Sequence, residues 1–310
     1  MICNVQTRNA AEQKPSSSTS SPQQVINHPQ KMSLDDVTKN WIEEYTMPSE
    51  SCPTASVDSR EDLRFAYKPP QSDVTGIVSA VTLIVCWLAV FYHAAFQFDL
   101  SDHSWTNIVD GIATFMSLEF LSAGLFITTH DAMHGSVAFN NRRLNDFLGS
   151  VCINLYAWFD YNMMWDKHWE HHNNTGVSYN DPDFHKGNAS LPAWYGNFMK
   201  GYFTWKQVIK LHLIVGTLLL AGVDYKNLVI FWAASGLVSA FRLFYFGTYQ
   251  PHKPRKGAGE VMSWPKARTA AVPQWLSFLQ CYHFNYHWEH HRWPMCPWWD
   301  LPRAKAISGR

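Results

Sequence analysis

The sequence predicts an all-α integral membrane protein. It should have four transmembrane helices, an interfacial or re-entrant helix, and a histidine-rich cap on one membrane face. Two observations carry this prediction. Four long apolar blocks recur along a chain of 310 residues. Three histidine clusters at helical spacing stand at or beyond the ends of those blocks: His130/His134, His168/His171/His172 and His287/His290/His291. A formal net charge of zero gives no electrostatic footprint for nucleic acid. The six cysteines, scattered and without a CxxC, do not read as a disulfide framework.

Residues 1–60 are polar and rich in Ser, Pro and Gln, and Pro15 to Pro22 cannot build a core. This segment reads as a disordered tail. Gln13 to Leu34 is free of acidic residues, as in a plastid transit segment, although Arg8 is its only nearby arginine. A single membrane domain is expected over 61–310. Its apolar blocks are Val74–Phe98, Ile108–Thr129, Val208–Val223 and Leu228–Gly247. A hydrocarbon core of about 30 Å needs roughly 20 helical residues. The third block is short and carries Lys210 and His212 near its start, where a long side chain can snorkel. Glu119 and Arg242 interrupt the second and fourth blocks and should face protein or a polar cavity rather than lipid.

A fifth stretch, Phe147–Met164, is interrupted by Asn154, Asp160 and Asn162 and is expected to lie in the interface or re-enter. If it crossed, the second histidine cluster would stand about 30 Å from the first. With four crossings all three clusters share one face. That face then collects Arg64, Lys68, Arg142, Arg143, Lys167, Lys253, Arg255 and Lys256, while the opposite loops carry Asp99, Asp102, Asp224 and Lys226. The positive-inside rule turns the first face toward stroma or cytosol.

Helical geometry gives the clusters their chemical meaning. Residues four apart differ by about 40° around the axis, so His130 and His134 share a face. In HxxHH the three imidazoles fall within an arc of about 100°. Neutral imidazole is the commonest metal ligand and suits iron, zinc, copper or nickel. Eight nitrogens exceed the four that satisfy a structural zinc, so two metals sharing the set is the economical reading. The expected ligands are His130, His134, His168, His171, His172, His287, His290 and His291. A ninth ligand, or a residue orienting one, is sought among His283, His252 and His185. Asp131 and Asp183 are the candidate catalytic carboxylates. Asp131, like Glu170 and Glu289, sits inside a box where a carboxylate can hold an imidazole, and Asp183 with His185 could line the mouth of the site.

These boxes on a four-helix frame resemble the membrane-bound desaturase and hydroxylase superfamily. Four further segments, Phe126 to Gly135, Asp181 to Gly187, Phe241 to His252 and Cys281-Tyr-His-Phe284, resemble the β-carotene ketolases, particularly the algal ones. The resemblance runs from about residue 40 to the end. It implies two non-haem irons, molecular oxygen as co-substrate, an electron-donor protein such as ferredoxin, and a carotenoid taken from membrane lipid. The implied reaction places a keto group on C4 of a β-ionone ring by two hydroxylations and a dehydration. A carotenoid ring hydroxylase, a fatty-acyl desaturase and a membrane metal transporter remain alternatives at this point. A transporter, however, should carry polar ligands midway along its helices.

Overall fold

A computed structural model describes residues 66–176, 180–255, 262 and 266–310. The expected tail over 1–60, along with Arg64 and Lys256, lies outside the described residues. Among the described residues the fold is all-helical, with no strand beyond an isolated bridge between Thr269 and Tyr286.

Helix α1 (Val74–Tyr92) continues through a π turn to Gln97, and α2 spans Trp105–Met133. Helix α2 begins where the Ser104 hydroxyl accepts a bond from Asn107 N, closing one of the orphan amides of a helix start. Its 29 residues extend about 43 Å, some two turns more than a bilayer core requires. The surplus allows its last turn to carry His130 and His134 beyond the apolar part. The helices α3 (Arg142–Ala157) and α4 (Tyr161–Asn174) follow. The stretch 147–164, anticipated as one helix, therefore straddles two. Trp158 takes a left-handed φ of 58° that ends α3, and the Asp160 side chain caps α4.

The next pair, α5 (Leu191–Tyr202) and α6 (Trp205–Leu220), bends by 82° at its break. Helix α7 (Tyr225–His252) contains two π turns, Leu228–Ala234 and Phe244–Tyr249. The short α8 (Gln274–Cys281), α9 (His287–Arg292) and α10 (Leu301–Ser308) complete the chain. Three helices, α1 with its π turn, α2 and α7, are long and apolar enough to cross a membrane, and the α5–α6 pair makes a fourth only if it counts as one span.

Helix α2 is the axis of the fold, packing on α1, α3 and α7. The exposed face of α1, with Val74, Val78, Val81, Val85 and Leu88, suits lipid rather than water. The two intramembrane charges find each other: Arg242 donates from Nε and Nη2 to the two carboxylate oxygens of fully buried Glu119, both at 2.5 Å. Its Nη1 donates to the carbonyls of Leu279 and Gln280 at 2.8 and 3.0 Å. One side chain thus ties α2, α7 and the end of α8 together. Immediately beyond, Tyr282 and His283 both adopt positive φ, 48° and 64°, and reverse the chain into the third histidine box. Gly247 faces this reversal, where a β-carbon would overlap the ring of Phe284.

Candidate metal centre

The three boxes meet. Their imidazoles, with one more from the end of α7, form two adjoining groups whose potential ligand atoms lie within 4.8 Å of one another inside each group. The first contains His130, His134, His168, His172 and His290, and the second His171, His252, His287 and His291. Adjacent histidines are divided. His171 and His172 are about 100° apart on α4 and address different groups, as do His290 and His291 on α9. The two HWEHH boxes divide in opposite senses. In α4 the i and i+4 residues join the first group, whereas in α9 they join the second.

Nitrogen positions explain the convergence. His134 Nε2 lies 2.7 Å from His168 Nε2, and His290 Nε2 lies 3.1 Å from His130 Nε2 and 3.0 Å from His172 Nε2. In the second group His291 Nε2 lies 3.3 Å from His171 Nε2 and 3.0 Å from His287 Nε2. On the far side of several rings, Nδ1–H is already committed. His171 donates to Asp181 Oδ1 at 2.8 Å, His252 to the Lys266 carbonyl at 2.9 Å and His287 to the Phe284 carbonyl at 3.3 Å. A neutral ring with Nδ1 protonated presents a lone pair at Nε2. His252 and His287 Nε2 are then bare acceptors, and the buried Nε2 of His252 has no hydrogen-bond partner. One N–H from His291 cannot satisfy both. A cation among them can, because ligands held at about 2.1 Å from one ion lie roughly 3–4 Å apart. The donor set fits metal.

Burial strengthens this fit. Desolvation, with mutual repulsion among the rings, drives His134, His168, His172, His287, His290 and His291 well below the ordinary histidine range, so they stay neutral. His171 is the exception. Burial opposes its protonation, but the Asp181 charge and hydrogen bond, with Asp183 nearby, bring its value up to about 9. Burial likewise works against Asp181, yet His171 and the amides of Gly176 and Asp183 outweigh it and hold this carboxyl below its usual range. A metal at His171 Nε2 would take the place of the proton there, leaving the Nδ1–H to Asp181.

The remaining predicted residues are distributed as follows. Asp131 is buried, accepts from His130 Nδ1 at 3.2 Å and from Trp298 N at 2.8 Å, and so joins the first box to the C-terminal segment. Asp183 lies 3.8 Å from His171 Nδ1 and accepts instead from the Tyr202 hydroxyl at 2.7 Å. His185 packs against Phe184 and Trp194, and His283 stacks on Tyr286; neither belongs to a group. Glu170 is exposed, whereas buried Glu289 accepts from Ser308 and Thr269 and braces α9. Sequence reasoning missed Asp181 as the partner of His171. The Asp181-Pro-Asp183 motif offers two equivalent carboxylates, and only the turn that brings Gly176 N to Asp181 Oδ2 at 2.8 Å selects between them. It also missed Phe284, whose ring lies 4.7, 5.0 and 5.8 Å from those of His130, His287 and His290.

Two all-imidazole groups, gathered from the ends of the membrane-type helices α2 and α7 and from the shorter α4 and α9, define a histidine-box membrane protein. The fatty acid desaturase model matches residues 104–217 and 206–310, and the chain belongs to that family. Within it the chain stands with the β-carotene ketolases. It is 48% identical over 299 residues to beta-carotene 4-ketolase 3 of Haematococcus lacustris, covering 90% of this chain and 92% of that one. It is also 48% identical over 282 residues to the zeaxanthin 4-ketolase of Chlamydomonas reinhardtii, covering 88% and 62%. A bacterial beta-carotene ketolase from Paracoccus sp. (strain PC1) is 37% identical over 236 residues, covering 76% and 93%.

Proposed function

We propose that this protein is a di-iron oxygenase that places a keto group on C4 of carotenoid β-ionone rings. The observation carrying the proposal is the pair of adjoining all-histidine groups in a chain 48% identical to an algal β-carotene 4-ketolase over nearly its whole length. His130, His134, His168, His172 and His290 would hold one iron, and His171, His252, His287 and His291 the other. Iron rather than zinc is proposed because the reaction needs redox chemistry, which zinc lacks. When bound, the irons supply oxygen activation with electrons from an external protein donor, for which ferredoxin is the proposed class.

The chain's own residues set the conditions. Asp181 and Asp131 fix the orientation of His171 and His130 through their Nδ1–H groups. The Phe284 ring covers His130, His287 and His290 with an apolar surface that excludes water. C4 is allylic to the ring double bond, so its C–H bonds are weakened. Each hydroxylation consumes one oxygen molecule, two electrons and two protons and releases one water. The second gives a geminal diol, which loses water to leave the ketone. β-Carotene passes in this way to echinenone and canthaxanthin, and 3-hydroxylated rings lead toward astaxanthin. The similarity to a zeaxanthin 4-ketolase supports including the hydroxylated rings.

The proposed setting is a plastid membrane, with α5 and α6 forming one of four spans. The histidine cap then faces the stroma beside Lys68, Arg142, Arg143, Lys167, Lys253 and Arg255. Expression in bacteria that accumulate β-carotene, followed by pigment chromatography, tests the function. Ketocarotenoids are expected, and their loss in His171→Ala. A stable alcohol would point to a ring hydroxylase. Unchanged pigment with folded, iron-loaded protein would overturn the assignment.

A further inference from the structure

A cleft of about 330 Å³ opens between α7 and α8, lined by Val238, Phe241, Tyr245 and Phe246 on one wall and Leu276 and Leu279 on the other, with Glu119, Arg242 and Gln280 at its polar edge. The lining residues of α7 recur at three- and four-residue intervals, so they form one stripe of the helix. Val238, Phe241 and Leu279 are exposed, as is Trp275 one turn before Leu279. On a helix apolar enough to cross a membrane, such a surface opens toward hydrocarbon rather than water. The cleft is sized like a small-molecule site, whose typical range begins near 300 Å³. It would hold one end of a long apolar molecule while the rest stayed in the bilayer.

The Phe246 end of the cleft leads toward the metal centre. Phe246 lines it, and the next residue, Gly247, is the one against which Phe284 packs. Phe284 in turn contacts rings from both histidine groups. Along α7, Phe246 stands six residues before His252. The cleft's other wall is fixed by the same device that aims Phe284. Arg242, clamped by Glu119, holds the last carbonyls of α8 just before the Tyr282–His283 reversal. Phe284 therefore links the backbone next to the Phe246 end of the cleft to imidazoles of both groups.

We propose that this cleft is where the polyene substrate docks from the bilayer, its reactive ring directed at Phe284 and its conjugated chain lying past Phe241 and Leu279. The inference rests on the carotenoid reading of the centre. A polyene is extended, rigid and uncharged, so it needs apolar walls and a fixed width rather than polar partners. Gly247 and the Arg242 clamp make Phe284 the surface that sets how closely the ring approaches.

The test uses the full-length, iron-loaded protein in phosphatidylcholine nanodiscs, without oxygen or reductant, titrated with β-carotene. Achiral β-carotene acquires visible circular dichroism only when a chiral site holds it in a fixed pose. The wild type should show this signal. Leu279→Trp and Val238→Trp, which fill the cleft, should weaken the titration at least tenfold, while Val81→Trp on the lipid face of α1 should leave it unchanged. Should the tryptophan variants fail to fold, Leu279→Cys replaces them. β-Carotene should slow its labelling by a bilayer-soluble maleimide and leave labelling of Cys86, exposed on α1, unaltered. A wild-type signal with unweakened cleft variants, or an unprotected Cys at 279, overturns the cleft and leaves the carotenoid reading standing. No wild-type signal together with no ketone product overturns both. Ketone product without a wild-type signal overturns the fixed docking pose alone.

Discussion

Replacing Asp181 by Asn probes the centre through a residue that touches no metal-facing nitrogen. Asp181 Oδ1 accepts from His171 Nδ1 at 2.8 Å, and Oδ2 accepts from Gly176 N at 2.8 Å, with both side chains of the His–Asp pair only 4% exposed. Asn keeps the shape but loses the charge. If its oxygen serves His171, its NH2 must face the Gly176 amide, donor against donor. A buried hydrogen bond to a charged group contributes about 1.5–3 kcal/mol, and about 1.4 kcal/mol is a factor of ten. Metal affinity at the second group should therefore fall roughly 10–100-fold, the range known for groups that orient a ligand imidazole. The assay is iron retained per protein against a graded chelator. Asp183→Asn is the control, because its carboxylate stands 3.8 Å from His171 and is already engaged by Tyr202. Equal iron retention in Asp181→Asn and wild type, or a larger loss in Asp183→Asn, would refute the reasoning.

Three further outcomes are expected. His252→Ala should reduce iron bound at the second group, since it leaves three of four nitrogens, whereas His185→Ala should not change metal content; elemental analysis of purified protein distinguishes them. Glu119→Leu leaves the Arg242 charge without its partner and should destabilise the fold by about 3–5 kcal/mol, and the double variant with Arg242→Met should recover more than half, as read by denaturant unfolding in detergent. His283 is 5% exposed, and burial pulls its pKa down to about 4. An unfolded value near 6.5 lies above this, so the folded state prefers the neutral ring; its stabilising share is present above about pH 6.5 and is lost as pH falls toward 4. His283→Phe should therefore flatten the decline in melting temperature between pH 7 and pH 5, and an unaltered slope would count against a neutral buried ring.

The helical spacing within each box is local, and it was enough to predict that the imidazoles of each box share a helix face. The apolar blocks likewise predicted four spans, and three of them fall on helices long and apolar enough to cross, because burying backbone in hydrocarbon requires a continuous apolar helix. Residues whose role depends on a distant partner were another matter. Glu119 and Arg242 each had to face protein, but their pairing across 123 positions is a product of α2 packing on α7. The break at Trp158 depends on one left-handed residue that no periodicity marks.

What the sequence determined by itself was therefore the donor set: three histidine boxes at helical spacing in a chain with long apolar helices. Tertiary structure alone decided the division into five and four, the entry of His252 into the smaller group, and the choice of Asp181 over Asp183. The physical reason is range. A helix repeats every 3.6 residues and fixes directions around its own axis, whereas the partner met in a given direction depends on how separate helices pack.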